Sequence, residues 1–369
     1  MKSVILFFSL FISTLLIGQQ SQNISIDVNG TDRQFILYVP NIYDASTPAP
    51  LLFCFHGYGS SASTNYAYTK FRDIADTAGF VLIHPQGSTD AFGTPHFNVG
   101  WGTSNVDDVA FTEAMIEYAE GNYNINSSRI YSTGMSNGGY MSFLLACSLS
   151  NKIAAIASVT GSMTPQTYNA CNPEHPMPIL QIHGTNDQVV PYIGDPTWTE
   201  SINDVLQYWV GYNNCSSFPA ITSIDDINIF DGSTVERHVF MDGLNGVTTE
   251  HLKVHGGGHD WFGAWGNMDI QSSAVMWSFW SEFCANPLSI AEPYDSSHLG
   301  QADLCAAQSN TLIAREDIHL TVYDASGRRV AQRFLFTDQS WEMKGCGLHL
   351  VVAKSTSGQT QQLKVFVKD

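Results

Sequence analysis

The chain has 369 residues, of which 34 are acidic and 16 basic, for a net charge of −18. No basic stripe is present to neutralise phosphates, which argues against a nucleic-acid partner. Hydrophobic residues make up 44% of the chain, ordinary for a globular protein, and the length suits one large α/β domain with a small appendage.

The chain opens with Met1-Lys2, an apolar run over 4–17 and then Gly18-Gln-Gln-Ser. One positive charge, a short apolar stretch and a small residue at the cut read as a secretory signal over 1–19, so the expected product is secreted. The run is short for a membrane span, and no cysteine follows the cut to carry a lipid anchor. A buried N-terminal helix is the alternative. Residues 25–39 read as a hairpin turning at Asn29-Gly30. The continuous apolar run 51–55 reads as a central parallel strand ending in His56-Gly57-Tyr58-Gly59. A helix is expected over 66–78 and a buried strand over 80–83. A second helix starts at Asp107-Asp108 with Phe111, Ala114, Met115 and Tyr118 on one face, the two aspartates reading as caps rather than a catalytic pair.

Residues 129–133 read as a buried strand, and 138–149 as a helix with Tyr140, Phe143, Leu144 and Cys147 on one face. Between them stands Gly134-Met135-Ser136-Asn137-Gly138. Strands follow over 153–159, 179–183 and 250–255, with helices over 202–210 and 270–284. Buried strands alternating with helices predict an α/β fold over 20–285: a mostly parallel sheet with helices on both faces. Residues 286–311 lack periodicity and read as a linker. From 312 to 369 the pattern has period two, with turn signals at 324–327 and 355–358, which predicts a small all-β sandwich domain. Seven cysteines leave at least one unpaired within the chain. Cys54 and Cys147 read as small core residues; Cys171, Cys215 and Cys284 are candidates for one disulfide, and Cys305 and Cys346 for another.

Strand, Gly-x-Ser-x-Gly, helix is the pattern of a nucleophile elbow, a sharp turn that lifts a serine hydroxyl clear of the sheet at a helix N-terminus. A serine hydroxyl needs a base, and the base an orienting acid. The strand 179–183 runs into Gly184-Thr185-Asn186-Asp187, and the strand ending at His255 runs into Gly256-Gly257-Gly258-His259-Asp260-Trp261. The order Ser136, Asp187, His259 is that of a triad built on strand ends. His255 is the second candidate base, and Asp242 and Asp260 the other candidate acids. An oxyanion hole needs two converging N–H groups, expected from Asn137 and Tyr58. His56, Trp101 and Trp261 are candidate substrate contacts, with the two tryptophans equally readable as core. The His255–His259 spacing imitates a metal pair, but three intervening glycines do not hold a helix, so neither a metal nor another cofactor is expected.

The segments LLFCFHGYGSSAS, HPQG, VDDVAF, RIYSTGMSNGGYMSFLLAC, QIHGTNDQVVPY and GGGHDW occur in this order. Together they resemble the secreted α/β-hydrolase esterases that include poly(3-hydroxybutyrate) depolymerases and feruloyl or acetylxylan esterases. The resemblance covers roughly 23–283 and implies Ser136 as nucleophile, Asp187 as acid and His259 as base. It implies an ester substrate, polysaccharide-linked or polyester. The sequence departs from that family in GGGHDWFG, where Asp follows the histidine and Phe the tryptophan in place of the more usual Thr and Pro. In the tail, LTVYDASGRRV and GLHLVVAKSTSGQTQQLKVFVKD resemble the sorting domains of type IX secretion, which implies that machinery as a partner; a carbohydrate-binding β-sandwich is the alternative. A peptidase of the same fold and a non-catalytic glycan-binding protein are the other functional readings.

Overall fold

The computed structural model describes residues 20–281 and 283 and, further on, 305–308, 311–314, 318–323, 329–335, 340–342, 347–355 and 360–367. The expected signal, nearly all of the expected linker, the 324–327 turn, Cys284 and Cys346 lie outside the described residues. In chain order come β1 (Gln20–Val28), β2 (Thr31–Val39), β3 (Ala49–Phe55), α1 (Ala62–Tyr68), α2 (Phe71–Ala78), β4 (Val81–Pro85), β5 (Ser88–Thr89), β6 (Pro95–His96), α3 (Asp108–Asn122), β7 (Ile125–Met135) and α4 (Asn137–Ser148). They are followed by β8 (Ala155–Val159), α5 (Pro165–Ala170), β9 (Ile179–Gly184), α6 (Ile202–Tyr212), β10 (Ala220–Ser223), β11 (Thr234–Phe240), β12 (Thr249–His255) and α7 (Ser272–Trp280).

Ten of these strands form one sheet in the order β1-β2-β4-β3-β7-β8-β9-β12-β11-β10. The six from β4 to β12 run parallel, and the hairpin β1-β2 and the pair β11-β10 flank them antiparallel. Six consecutive parallel strands put their carboxyl ends on one edge, where loops collect functional side chains. Alternate residues of one strand serve opposite faces. Leu51, Phe53 and Phe55 pack with Phe111 and Met115 of α3, Phe143 of α4 and Trp209 of α6, whereas Leu52 and Cys54 pack with Phe71 of α2 and Met276 and Trp280 of α7. Both faces are thereby covered, and the parallel strands read as unbroken apolar runs for that reason.

Three expectations are corrected. The single helix expected over 66–78 is two, because Lys70 adopts φ 54° and interrupts the helical hydrogen-bond ladder between α1 and α2. Strands β10 and β11 were not anticipated: every residue of β10 is exposed, so that strand shows no apolar alternation. Cys147 is not a core thiol but is bonded to Cys171, 24 residues away, tying α4 to the end of α5; Cys54 and Cys215 are free and buried. Closing a loop of that length stabilises by about 3–4 kcal/mol in the chain-entropy account.

Beyond residue 300 the described strands are all antiparallel: β13 (Cys305–Gln308), β14 (Thr311–Ala314) and β17 (Ser340–Glu342) in one sheet, and β15 (Ile318–Tyr323), β16 (Arg329–Leu335), β18 (Gly347–Ser355) and β19 (Thr360–Val367) in the order β16-β15-β18-β19. The period-two pattern is visible in β15, where Leu320 and Val322 are buried and His319 is exposed. β13 falls within the stretch expected to be linker. No helix among the described residues is long and apolar enough to cross a membrane.

Among the buried histidines are His56, His84, His183 and His251. Burial, which disfavours the charged ring, lowers His56 and His183 to about 4 and His84 and His251 to about 3. An unfolded histidine protonates near 6.5, so the unfolded chain takes up these protons first. Their contribution to stability is therefore complete above pH 6.5 and is lost as pH falls from there towards the folded values. Each site loses roughly 2 kcal/mol between pH 7 and 5. The urea midpoint is expected to fall steeply across that interval; a flat midpoint from pH 7 to 5 would contradict neutral burial of these rings.

Candidate active site

Ser136 stands between β7 and α4 at φ 55° and ψ −121°, a backbone conformation that costs a non-glycine residue on the order of 1–3 kcal/mol. The surroundings hold it there. Ser136 N donates to Val159 O of β8 at 2.8 Å, and Ser136 O accepts from Gly139 N and Tyr140 N at 2.7 and 3.0 Å. The two glycines of the elbow are forced by close approach: a Cβ on Gly138 would sit 2.2 Å from Phe55 O, and one on Gly134 2.4 Å from the Gly138 carbonyl carbon.

Asp187 and His259 follow β9 and β12, which are neighbours in the sheet. Their loops are laced together: Thr185 N donates to Val254 O at 2.8 Å and Asn186 N to Gly257 O at 2.9 Å, and Gly256 N donates to Thr185 Oγ1 at 2.9 Å. Gly184 has no room for a side chain, since its Cβ would lie 2.2 Å from Gly257 O. Across this junction His259 Nδ1 donates to Asp187 Oδ2 at 2.8 Å. A ring nitrogen that close to a carboxylate carries the proton, which leaves Nε2 as the basic nitrogen. The other carboxylate oxygen of Asp187 accepts from Val189 N and Val190 N at 2.8 and 2.9 Å. Burial acts to raise the Asp187 carboxyl, but the His259 bond, the nearby His259 and His183 rings and the Val190 N–H together hold it below the ordinary carboxylate range. His259 is 18% exposed, whereas the Asp187 side chain is wholly buried. Among the described residues no hydrogen bond joins Ser136 Oγ to His259; such bonds are often long without substrate and tighten in the complex.

The other candidates have different partners. His255 Nε2 lies 3.0 Å from Glu236 Oε2, and Asp260 Oδ2 accepts from Gly258 N at 3.1 Å; no histidine bond to Asp242 or Asp260 occurs among the described residues. Also among the described residues, no group of three or more His, Cys, Asp or Glu is placed to hold a metal ion.

Of the expected oxyanion donors, Asn137 is the first residue of α4, so its N–H has no acceptor within the helix. Its side chain is fully buried and clamps a neighbouring segment: Phe97 N donates to Asn137 Oδ1 at 2.7 Å, and Asn137 Nδ2 donates to Phe97 O at 2.9 Å. Tyr58 is 44% exposed, and its hydroxyl donates to Asp90 Oδ2 at 2.5 Å beside the β5-β6 ribbon.

Two expected substrate contacts are corrected by burial. His56 has no exposed surface; its Nδ1 donates to Gly57 O at 2.7 Å and its Nε2 accepts from Gly87 N at 3.0 Å, so it holds the loop rather than meeting a ligand. Trp261 is 2% exposed and packs edge-on to Tyr68 and Phe71. Trp101 is half-buried within an aromatic group, its ring centroid 5.0 Å from Tyr140, 6.1 Å from Trp198 and 6.4 Å from Tyr58. Trp198, in the loop before α6, escaped sequence reasoning because no periodicity or motif marks it. Tyr68 was missed too: it touches Met135 beside Ser136 and stacks edge-on to Trp265, six residues past His259.

A parallel sheet covered on both faces, a serine elbow and a bonded aspartate–histidine pair on adjacent strand ends define an α/β-hydrolase. The family described as Phospholipase/Carboxylesterase matches residues 42–213. The chain is 30% identical over 202 residues to the probable feruloyl esterase C of Aspergillus flavus, covering 53% of this chain and 72% of that protein. It is 28% identical over 254 residues to a bifunctional acetylxylan esterase/xylanase of Neocallimastix patriciarum, a match over 69% of this chain but only 34% of the length of that relative. An acetyl xylan esterase from Aspergillus awamori shares the fold, with a TM-score of 0.50 at 15% identity over 70% of this chain and 98% of the other. The chain belongs to the phospholipase/carboxylesterase family of α/β-hydrolases, with feruloyl and acetylxylan esterases among its relatives.

Proposed function

We propose that the protein is a secreted serine esterase acting on feruloyl or acetyl esters of plant polysaccharide. The observation that carries this reading is the 2.8 Å bond from His259 to Asp187 at the same sheet edge as the strained Ser136. In the proposed reaction His259 Nε2 takes the Ser136 proton as Oγ attacks the ester carbonyl carbon. The Asn137 and Tyr58 N–H groups receive the oxyanion. The tetrahedral intermediate expels the alcohol, which takes its proton from His259, and leaves an acyl-serine. Water, deprotonated by the same base, then releases the acid. The relatives' names favour a ferulate or acetate acyl group, and the aromatic group around Trp101 and Trp198 suits a planar one. Export through the N-terminal segment, and passage through the type IX machinery by way of the tail, are proposed from sequence alone.

The mature enzyme is expected to release ferulate from methyl ferulate or acetate from acetylated xylan faster than it cleaves hydroxybutyrate oligomers. Preferred cleavage of the oligomers would move the substrate to polyester, and cleavage of short peptides alone would make the enzyme a peptidase. Inert Ser136 towards a fluorophosphonate, with no ester hydrolysed, would overturn catalysis altogether.

A further inference from the structure

The buried pair Arg33–Asp108 has no part in the proposed reaction, yet it leads to the oxyanion donors. Asp107 caps α3 by accepting from Ala110 N at 2.9 Å, as its position predicts. Asp108 does something else. Its side chain is wholly buried; Oδ1 accepts from Arg33 Nη2 at 2.5 Å, and Oδ2 accepts from the backbone N–H of Asn98 at 2.7 Å. Arg33, 4% exposed on β2, lies over the Phe111 ring at 4.0 Å. A buried ion pair is weak evidence for stability, since apolar residues of similar volume often serve as well or better. The Asn98 N–H, by contrast, has a direct use for the carboxylate.

Phe97, which precedes Asn98, joins the two donor segments. Its backbone N–H and carbonyl are both bonded to the Asn137 side chain, and its ring lies 4.7 Å from that of His56, which is bonded to Gly57 beside Tyr58. Asn98 closes its own loop through Val106 O at 2.9 Å. One carboxylate oxygen thus holds the segment 97–98, which is bonded to Asn137 directly and reaches the Tyr58 loop through His56 and Gly57.

We propose that Asp108, paired with Arg33, is a positioning residue for the oxyanion hole, holding Asn98 and Phe97 so that the Asn137 and Tyr58 N–H groups converge. The proposal rests on the esterase reading above. Its test compares two double variants, neither of which leaves a lone buried charge. Arg33→Met with Asp108→Leu removes the acceptor for Asn98 N–H; Arg33→Met with Asp108→Asn restores an amide oxygen there. Rates on p-nitrophenyl acetate are expressed per site titrated to completion with a fluorophosphonate, so that misfolded protein does not count. The leucine variant is expected to lose about 10²-fold in kcat, in the range of one lost oxyanion donor, with KM within about twofold. The asparagine variant is expected to stay within about tenfold of the parent. A leucine variant within twofold of the parent, or equal losses in both variants, would overturn the proposal. If the leucine variant yields no folded protein, the asparagine variant decides: a loss beyond about 10²-fold per titrated site overturns the role, and near-parental turnover upholds it. Failure of the esterase reading itself shows separately, as absence of titration in the parent.

Discussion

Replacing Ser136 by alanine is expected to lower kcat by about 10⁶-fold, the loss seen when one member of a triad acting as a unit is removed. Alanine keeps Cβ, so the elbow stays, with its bonds from Ser136 N to Val159 O and from Gly139 and Tyr140 N–H to Ser136 O. The only atom lost is the one proposed to attack the carbonyl. The thermal midpoint is therefore expected to hold or to rise slightly, because a φ of 55° at this position is no worse for alanine than for serine. Turnover of p-nitrophenyl acetate by active enzyme and variant side by side checks this, and hydrolysis retained within a hundredfold by a folded alanine variant would remove Ser136 from the mechanism.

Asp187→Asn is expected to cost about 10⁴-fold in kcat at neutral pH with little change in stability. The present bond has His259 Nδ1 as donor and Asp187 Oδ2 as acceptor. Val189 N and Val190 N both donate to Oδ1, so an asparagine places its carbonyl oxygen there and turns its NH₂ towards the imidazole. Two donors then face each other, and the ring relieves the conflict by moving its proton to Nε2, the atom that the proposed reaction needs free to accept from serine. The carboxylate that steadies the imidazolium is lost as well. Steady-state kinetics and urea unfolding on the same preparation separate the two effects. An Asp187→Asn enzyme within tenfold of the parent would mean that another group orients the base.

Much of the architecture was legible because it is written in short-range pattern. The apolar run of β3, the glycines on either side of Ser136 and the Asn29-Gly30 turn each depend on residues within a few positions of one another. The helix over 66–78 was misread for the same reason: Phe71 and Ala75 of α2 continue an apolar pattern through Lys70, whose left-handed backbone leaves no signature in side-chain periodicity. β10 escaped because an exposed edge strand has no buried side to alternate against.

By itself the sequence determined the class of fold, the elbow and the chain order of the candidate acid and base, since periodicity and glycine placement are local properties of the polymer. Only the tertiary structure decided that His259 meets Asp187 from the end of β9 while His255 meets Glu236 of β11, that Cys147 is bonded to Cys171, that His56 and Trp261 are sealed from solvent, and that Arg33 reaches Asp108 across 75 positions. Each of these depends on which strands lie side by side, and strand order follows from the packing of both sheet faces at once rather than from any single segment.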